Sequence, residues 1–124
     1  MKKLVPLFAL ACITFISCHH HGDISISYND GGRYYQMNAD FNRSQTREVE
    51  KYMDQSIGRR SNVSFVNSRI DGRLGLDGHT IFYIVKYPGH LKIKLDKEEN
   101  TGEAYQRIRD MCEGMKDVLT GPAN

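Results

Sequence analysis

Nowhere in the 124 residues is there an apolar run long enough to cross a bilayer. Spanning takes about 20 apolar residues, and the one candidate stretch, Leu4 to Ile16, is shorter and broken by Pro6 and Thr14. An excess of one charge is also missing, since 17 Lys and Arg stand against 15 Asp and Glu. The small basic clusters Arg59-Arg60 and Lys92 with Lys94 have acidic neighbours in the chain. A nucleic-acid binder needs a basic footprint, so nucleic acid is not expected as a partner. The chain also lacks G-x-S-x-G, H-E-x-x-H, C-x-x-C and the phosphate-binding glycine loop with its lysine. These absences argue against an enzyme, and they imply no cofactor. Cysteine is scarce, with Cys12, Cys18 and Cys112 the only three.

What is present starts at the beginning of the chain. Lys2 and Lys3 precede the apolar stretch, and Ser17 and Cys18 close it. A charged start, a short apolar middle and a small residue before the cut have the form of a secretory signal. Its end, Phe15-Ile16-Ser17-Cys18, has the form of a lipobox, and in this the precursor resembles the bacterial lipoproteins. The resemblance implies export, removal of residues 1 to 17, and palmitate-type acyl chains on Cys18. It also implies a place in the cell envelope, at the outer membrane, because His19 follows the cysteine rather than an aspartate. A rival cut after Ala9-Leu10-Ala11 would leave Ile13 to Ile16 exposed at the new start, and it is disfavoured on that ground. Each buried methylene contributes about 0.8 kcal/mol and a single acyl chain holds only marginally, so several chains are what fix a domain to a membrane. Lys2 and Lys3 account for the whole excess of positive charge, so the segment from Cys18 onward is balanced. Cys112 is left without an intramolecular partner. It lies in a helical apolar pattern and is expected to be a packed core thiol rather than a nucleophile.

The chain divides into a signal peptide (1–17), a tether (18–23), a single domain (24–120) and a short tail (121–124). His19, His20 and His21 in the tether offer at most a weak, adventitious metal affinity, because adjacent imidazoles point in different directions. From Ile24 apolar residues alternate through Tyr28, break at Asn29-Asp30-Gly31-Gly32, and alternate again from Tyr35 to Phe41, which predicts a β-hairpin. Val49, Tyr52, Met53 and Ile57 form the stripe of a helix capped by Asn42 or Ser44 and ended by Gly58, with Glu48, Glu50, Lys51 and Asp54 on a solvated face. Strands are expected over Asn62 to Ile70, Thr80 to Tyr87 and Leu91 to Leu95, with turns at Asp71-Gly72, Asp77-Gly78 and Pro88-Gly89. Leu74 and Leu76 form a short extension of the meander. Ile81 to Val85, apolar throughout, is the candidate central strand. Ala104, Ile108, Met111, Cys112, Met115 and Leu119 share one face of a last helix, with Asn100 and Glu103 as its capping pair and Gly121-Pro122 as its stop. The expected fold is α+β: an antiparallel sheet of about five strands in the order β-β-α-β-β-β-α, with two helices packed on one face.

The segment Asp71 to Gly78 lacks the spaced acids and final glutamate of a calcium loop. His79 and His90 follow turn glycines, and either would become an acid–base partner if folding set it beside Asp77 or Asp96. Five of the seven tyrosines, Tyr28, Tyr34, Tyr35, Tyr83 and Tyr87, fall in or at the ends of expected strands. Tyrosine brings contact area and a hydroxyl at little entropic cost. The uncovered sheet face is therefore the expected binding surface, with Tyr34, Tyr35, Lys92 and Lys94 as its candidate residues. The expectation is a membrane-anchored, non-enzymatic binding or assembly module that meets an envelope protein or other envelope ligand. The alternatives are a small lipid-anchored hydrolase using His79 or His90, and a periplasmic inhibitor or immunity-like protein.

Overall fold

Alternation along the chain becomes a sheet with one dry and one wet face. The computed structural model describes residues 24–58, 63–76 and 79–121. The strands are β1 (Ser25–Asn29), β2 (Tyr34–Asp40), β3 (Ile70–Leu76), β4 (Thr80–Tyr87) and β5 (His90–Asp96), and the helices are α1 (Thr46–Met53) and α2 (Gly102–Thr120). Every neighbouring pair is antiparallel, in the spatial order β1-β2-β5-β4-β3. The protein is thus of the expected α+β class. The chain leaves β2, crosses by way of α1 to the far edge, and returns as the meander β3-β4-β5, which inserts β5 between β4 and β2. Among the described residues no helix is long and apolar enough to cross a membrane. The signal, the tether with Cys18 and His19 to His21, and Arg59, Arg60, Asp77 and Gly78 lie outside the described residues.

Tyr35, Met37 and Ala39 of β2, Leu91, Ile93 and Leu95 of β5, and Phe82 and Ile84 of β4 form the dry face. Val49, Met53 and Ile57 from the α1 segment meet it, together with the whole expected stripe of α2, from Ala104 to Leu119. Two tyrosine hydroxyls hold α2 at consecutive carbonyls: Tyr28 donates to Cys112 O (3.0 Å) and Tyr52 to Met111 O (2.8 Å). The close approach of Tyr52 explains a glycine in mid-helix, because a Cβ on Gly114 would sit 2.1 Å from the Tyr52 hydroxyl. Thr101, rather than Asn100, caps α2 by accepting from Ala104 N (3.0 Å). Asn100 instead clamps the strand beside it, accepting from Ile81 N and donating to Ile81 O, each at 2.9 Å.

Three local expectations are corrected. Residues 63 to 69 are not a strand, and Asp71-Gly72 is not a turn, for β3 begins at Ile70 and runs straight through Asp71 and Gly72. Ile70, Gly72, Leu74 and Leu76 form the inward row opposite Lys86, Ile84, Phe82 and Thr80. That period-2 match outweighs the local turn signal of Asp-Gly. The middle position falls to β5, while the apolar run lies in the inner strand β4, flanked by β5 and β3. Glu50 does not belong to a solvated surface, and Asp54 is half-buried and committed to the segment beside it. Asp54 accepts from Phe65 N (2.6 Å) and Ser64 Oγ (2.9 Å), which pins the irregular segment and drives Phe65 into the core. Glu50 is buried and pairs with Lys86 Nζ (2.5 Å), while its other oxygen accepts from Asn67 N (3.0 Å). Lys86 Nζ also donates to Ser68 O.

Removing one partner of a buried ion pair costs about 3–5 kcal/mol. Lys86→Met is expected to lose that much in urea unfolding, and the Glu50→Leu, Lys86→Met double variant less than the two single losses combined; simple additivity would show that the two charges are not coupled. Gly114→Ala is expected to destabilise by about 1–3 kcal/mol through overpacking, although alanine favours a helix by about 1 kcal/mol. Tyr52→Phe in the same chain should recover most of the difference, and an equal loss in both backgrounds would discard the steric explanation.

Candidate functional site

The wet face takes the alternate residues of the same strands. Strand β2 supplies Tyr34, Gln36, Asn38 and Asp40; β5 supplies His90, Lys92, Lys94 and Asp96; β4 supplies Ile81, Tyr83, Val85 and Tyr87. The register sets Lys94 between Gln36 and Tyr83, and Lys92 between Asn38 and Val85. A depression of about 520 Å³ opens here, with Tyr34, Tyr83, Lys92, Lys94, Arg33 and Arg73 around it.

Of the four expected residues the fold brings together Tyr34, Lys92 and Lys94. Tyr35 is on the other side, 1% exposed against 40% for Tyr34, since successive residues of a strand face opposite ways. Its ring packs edge-on against Tyr105, with centroids 6.1 Å apart. Tyr28 likewise turns to the helices, whereas Tyr83 and Tyr87 belong to the wet face.

Two cations approach the Tyr34 ring, Lys94 Nζ at 4.5 Å and the Arg33 guanidinium at 5.3 Å from its centroid. Such contacts contribute about 0.5–1 kcal/mol each at exposed sites. Arg33 grips Asp96 with two hydrogen bonds, Nε to Oδ1 (2.9 Å) and Nη2 to Oδ2 (2.7 Å). This guanidinium holds the Asp96 carboxyl below the usual carboxylate range, and the Glu98 backbone N–H adds to the effect. Arg73 pairs with Glu99 (3.3 Å), and Tyr83 donates to Asp71 (2.9 Å). The rim charges are therefore neutralised in pairs. Lys92 and Lys94, on the middle strand, enter no ion pair among the described residues. The arrangement presents an exposed aromatic ring with Lys94 against it and Lys92 nearby, neither ammonium group in an ion pair among the described residues.

Among the described residues neither histidine meets Asp96, and Asp77 lies outside them. His79 is exposed at the start of the β4 hairpin arm. His90 meets Asp40 rather than Asp96, with Nδ1 2.7 Å from Oδ1, and stacks on Tyr87 at 4.8 Å between ring centroids. It is not among the residues lining the depression. Among the described residues no group of three or more His, Cys, Asp or Glu is placed to hold a metal. Cys112 is fully buried, and burial pushes its thiol well above the usual range, which suppresses the thiolate. Arg33 at the hairpin turn carries no local mark of a site, and Arg73 is revealed as an outward residue only once the register of β3 is known. The alternation of β2 already turns Asp40 outward, but not toward His90.

No family profile, no curated protein and no solved structure matches the chain.

A carboxyl held low by a cation contributes stability above its unfolded value, and that contribution is lost as pH falls through the folded one. Asp96 is expected to titrate below 3.8 in carboxyl-detected NMR, and Arg33→Gln should move it upward. A midpoint unmoved by the substitution would assign the shift to the backbone of the turn instead.

Proposed function

We propose that this chain is a lipid-anchored envelope protein that acts as a non-enzymatic binding or assembly module. Acyl chains on Cys18 hold it at a membrane, the outer membrane of a two-membrane cell. Its uncovered sheet face around Tyr34 and Lys92 meets an envelope protein or other envelope ligand. The observation that carries this reading is the pairing of an exposed tyrosine, flanked by Arg33 and Lys94, with the ion-pair-free Lys92 on the middle strand. Exposed sheet faces of this kind bind by aromatic area and by charge complementarity. An anionic or hydrogen-bonding partner matches it, because the acids at the rim are already engaged.

The His90–Asp40 contact favours a second reading, a small lipid-anchored hydrolase, since a carboxylate orients an imidazole that would act as a base. The binding reading is preferred because this pair lies on the flat of the sheet against Tyr87, and the sequence has no signature that supplies it with a nucleophile.

Replacing Tyr34 by Ala together with Lys92 by Glu is expected to weaken crosslinked recovery of the partners captured by the unaltered protein in intact envelopes, while the thermal midpoint stays nearly constant. Undiminished recovery would remove this face from consideration.

A further inference from the structure

We propose that the domain docks on anionic phospholipid headgroups through Arg43, Arg47 and Arg69, so that the sheet stands upright with its Tyr34 end away from the bilayer. The inference rests on the anchored reading above and adds how the anchored domain is oriented.

The strand register shows which end of the molecule the anchor reaches. Ser25, the first residue of β1, is opposite Asp40, which is opposite His90, which is opposite Tyr87. The Pro88-Gly89 turn therefore belongs to the end where the chain enters the domain. Gly89 N donates to Thr46 Oγ1 (3.0 Å), and Phe41 N donates to Gly89 O (2.9 Å), so the start of α1 is at that end too. A Cβ at Gly89 would sit 3.1 Å from Phe41 O, and its φ of +86° suits only glycine, so this junction is tightly specified.

A depression of about 570 Å³ opens at this end, lined by Arg43, Arg47 and Arg69 along with Ser44, Ser68 and Pro88. Its one acid is Glu50, already paired with Lys86. All three arginines are exposed, and none enters an ion pair among the described residues; Arg69 stacks over Tyr87 at 5.2 Å. The opposite end differs, because Arg33, Arg73 and Lys97 are each matched there, to Asp96, Glu99 and Asp30. Four other acids near the tether end are exposed, Asp40, Glu48, Asp71 and Asp117, but none lines the depression; Asp40 is engaged by His90 and Asp71 by Tyr83. Guanidinium groups match phosphate oxygens in a two-point contact.

Tether length rules out the inverted orientation. The six residues from Cys18 to Asp23 span at most about 20 Å when fully extended. An inverted domain would need them to run the length of the sheet, about 23 Å for the seven residues of β2, and still reach the bilayer. The arginine end is thus the one held against the headgroups. Each arginine near an anionic surface contributes roughly fivefold to binding, so removing three weakens docking on the order of a hundredfold.

The test uses the chain purified from membranes and placed in vesicles of phosphatidylcholine, with or without phosphatidylglycerol. A spin label is put on Pro88→Cys or, at the other end, on Gly31→Cys, and its accessibility to a water-soluble relaxant is read. The Pro88→Cys label is expected to be shielded only on vesicles with phosphatidylglycerol, and to be re-exposed by high salt or by Arg43→Glu, Arg47→Glu and Arg69→Glu together. The Gly31→Cys label is expected to stay accessible throughout. Should the glutamate set fail to fold, the three glutamine replacements serve, with a smaller re-exposure. Equal accessibility at Pro88→Cys on both vesicles, or shielding at Gly31→Cys, would overturn the proposal. Protection on neutral vesicles by dissolved glycerol phosphate would replace it with a site for a soluble anion. The mass of residue 18 separates the two claims: an acylated chain with unresponsive labels sinks the docking alone, and an unmodified Cys18 removes the anchored reading and the docking with it.

Discussion

Two helices can dry only one face of a five-stranded sheet, and most of what distinguishes this protein follows from that constraint. Each strand had to place its apolar residues at every second position toward α1 and α2, where each fully buried aliphatic or aromatic side chain contributes roughly 1.5–3 kcal/mol. The intervening positions had to tolerate water. The central strand β5 shows the bargain most clearly, with Leu91, Ile93 and Leu95 at zero exposure and Lys92 and Lys94 on the other side. An uncovered face is therefore built into the architecture, and its side chains are free to be chosen for contact rather than for packing.

Inside the dry layer one polar exception has a structural consequence. Lys86 stands in the inward row of β4, and it meets Glu50 of α1 and the backbone of Ser68. Glu50 in turn engages the backbone of Asn67, the one described non-glycine residue with positive φ (57°). The pair thus ties the sheet, the first helix and the irregular segment before β3 at a single point. A slip of β4 by one residue would turn Lys86 to the wet face and leave Glu50 alone in the core. Desolvation makes that alternative costly, so the charges add to the register penalty that the apolar alternation already imposes.

The two ends of the sheet carry different electrostatics. Around Tyr34 the rim charges are matched pair by pair, which leaves the lysines of β5 and the aromatic ring as the distinguishing contact groups. Around the Pro88-Gly89 turn the arginines stand without carboxylate partners among the described residues, next to the place where the chain enters the fold. In the proposed arrangement these are complementary roles, one end held to lipid and the other presented to a partner. Neither role calls for chemistry at Cys112, which is sealed in the core.

The sequence by itself determined the elements whose signal is local. The stripe of α2 from Ala104 to Leu119, the bounds of β4, the first hairpin and the burial of Cys112 could all be read from spacing, because a helix or strand shows its buried face through its own periodicity. The acyl anchor is likewise an expectation from adjacent residues alone. Only the tertiary structure decided that β5 lies between β2 and β4, that β3 passes through Asp71-Gly72, that Tyr35 faces the helices, and that Glu50 finds Lys86. The same holds for the meeting of His90 with Asp40 and for the gathering of Arg43, Arg47 and Arg69. These facts depend on pairings between residues distant in the chain, and a charge carries no local mark of the partner that will neutralise it or of the face on which it will stand.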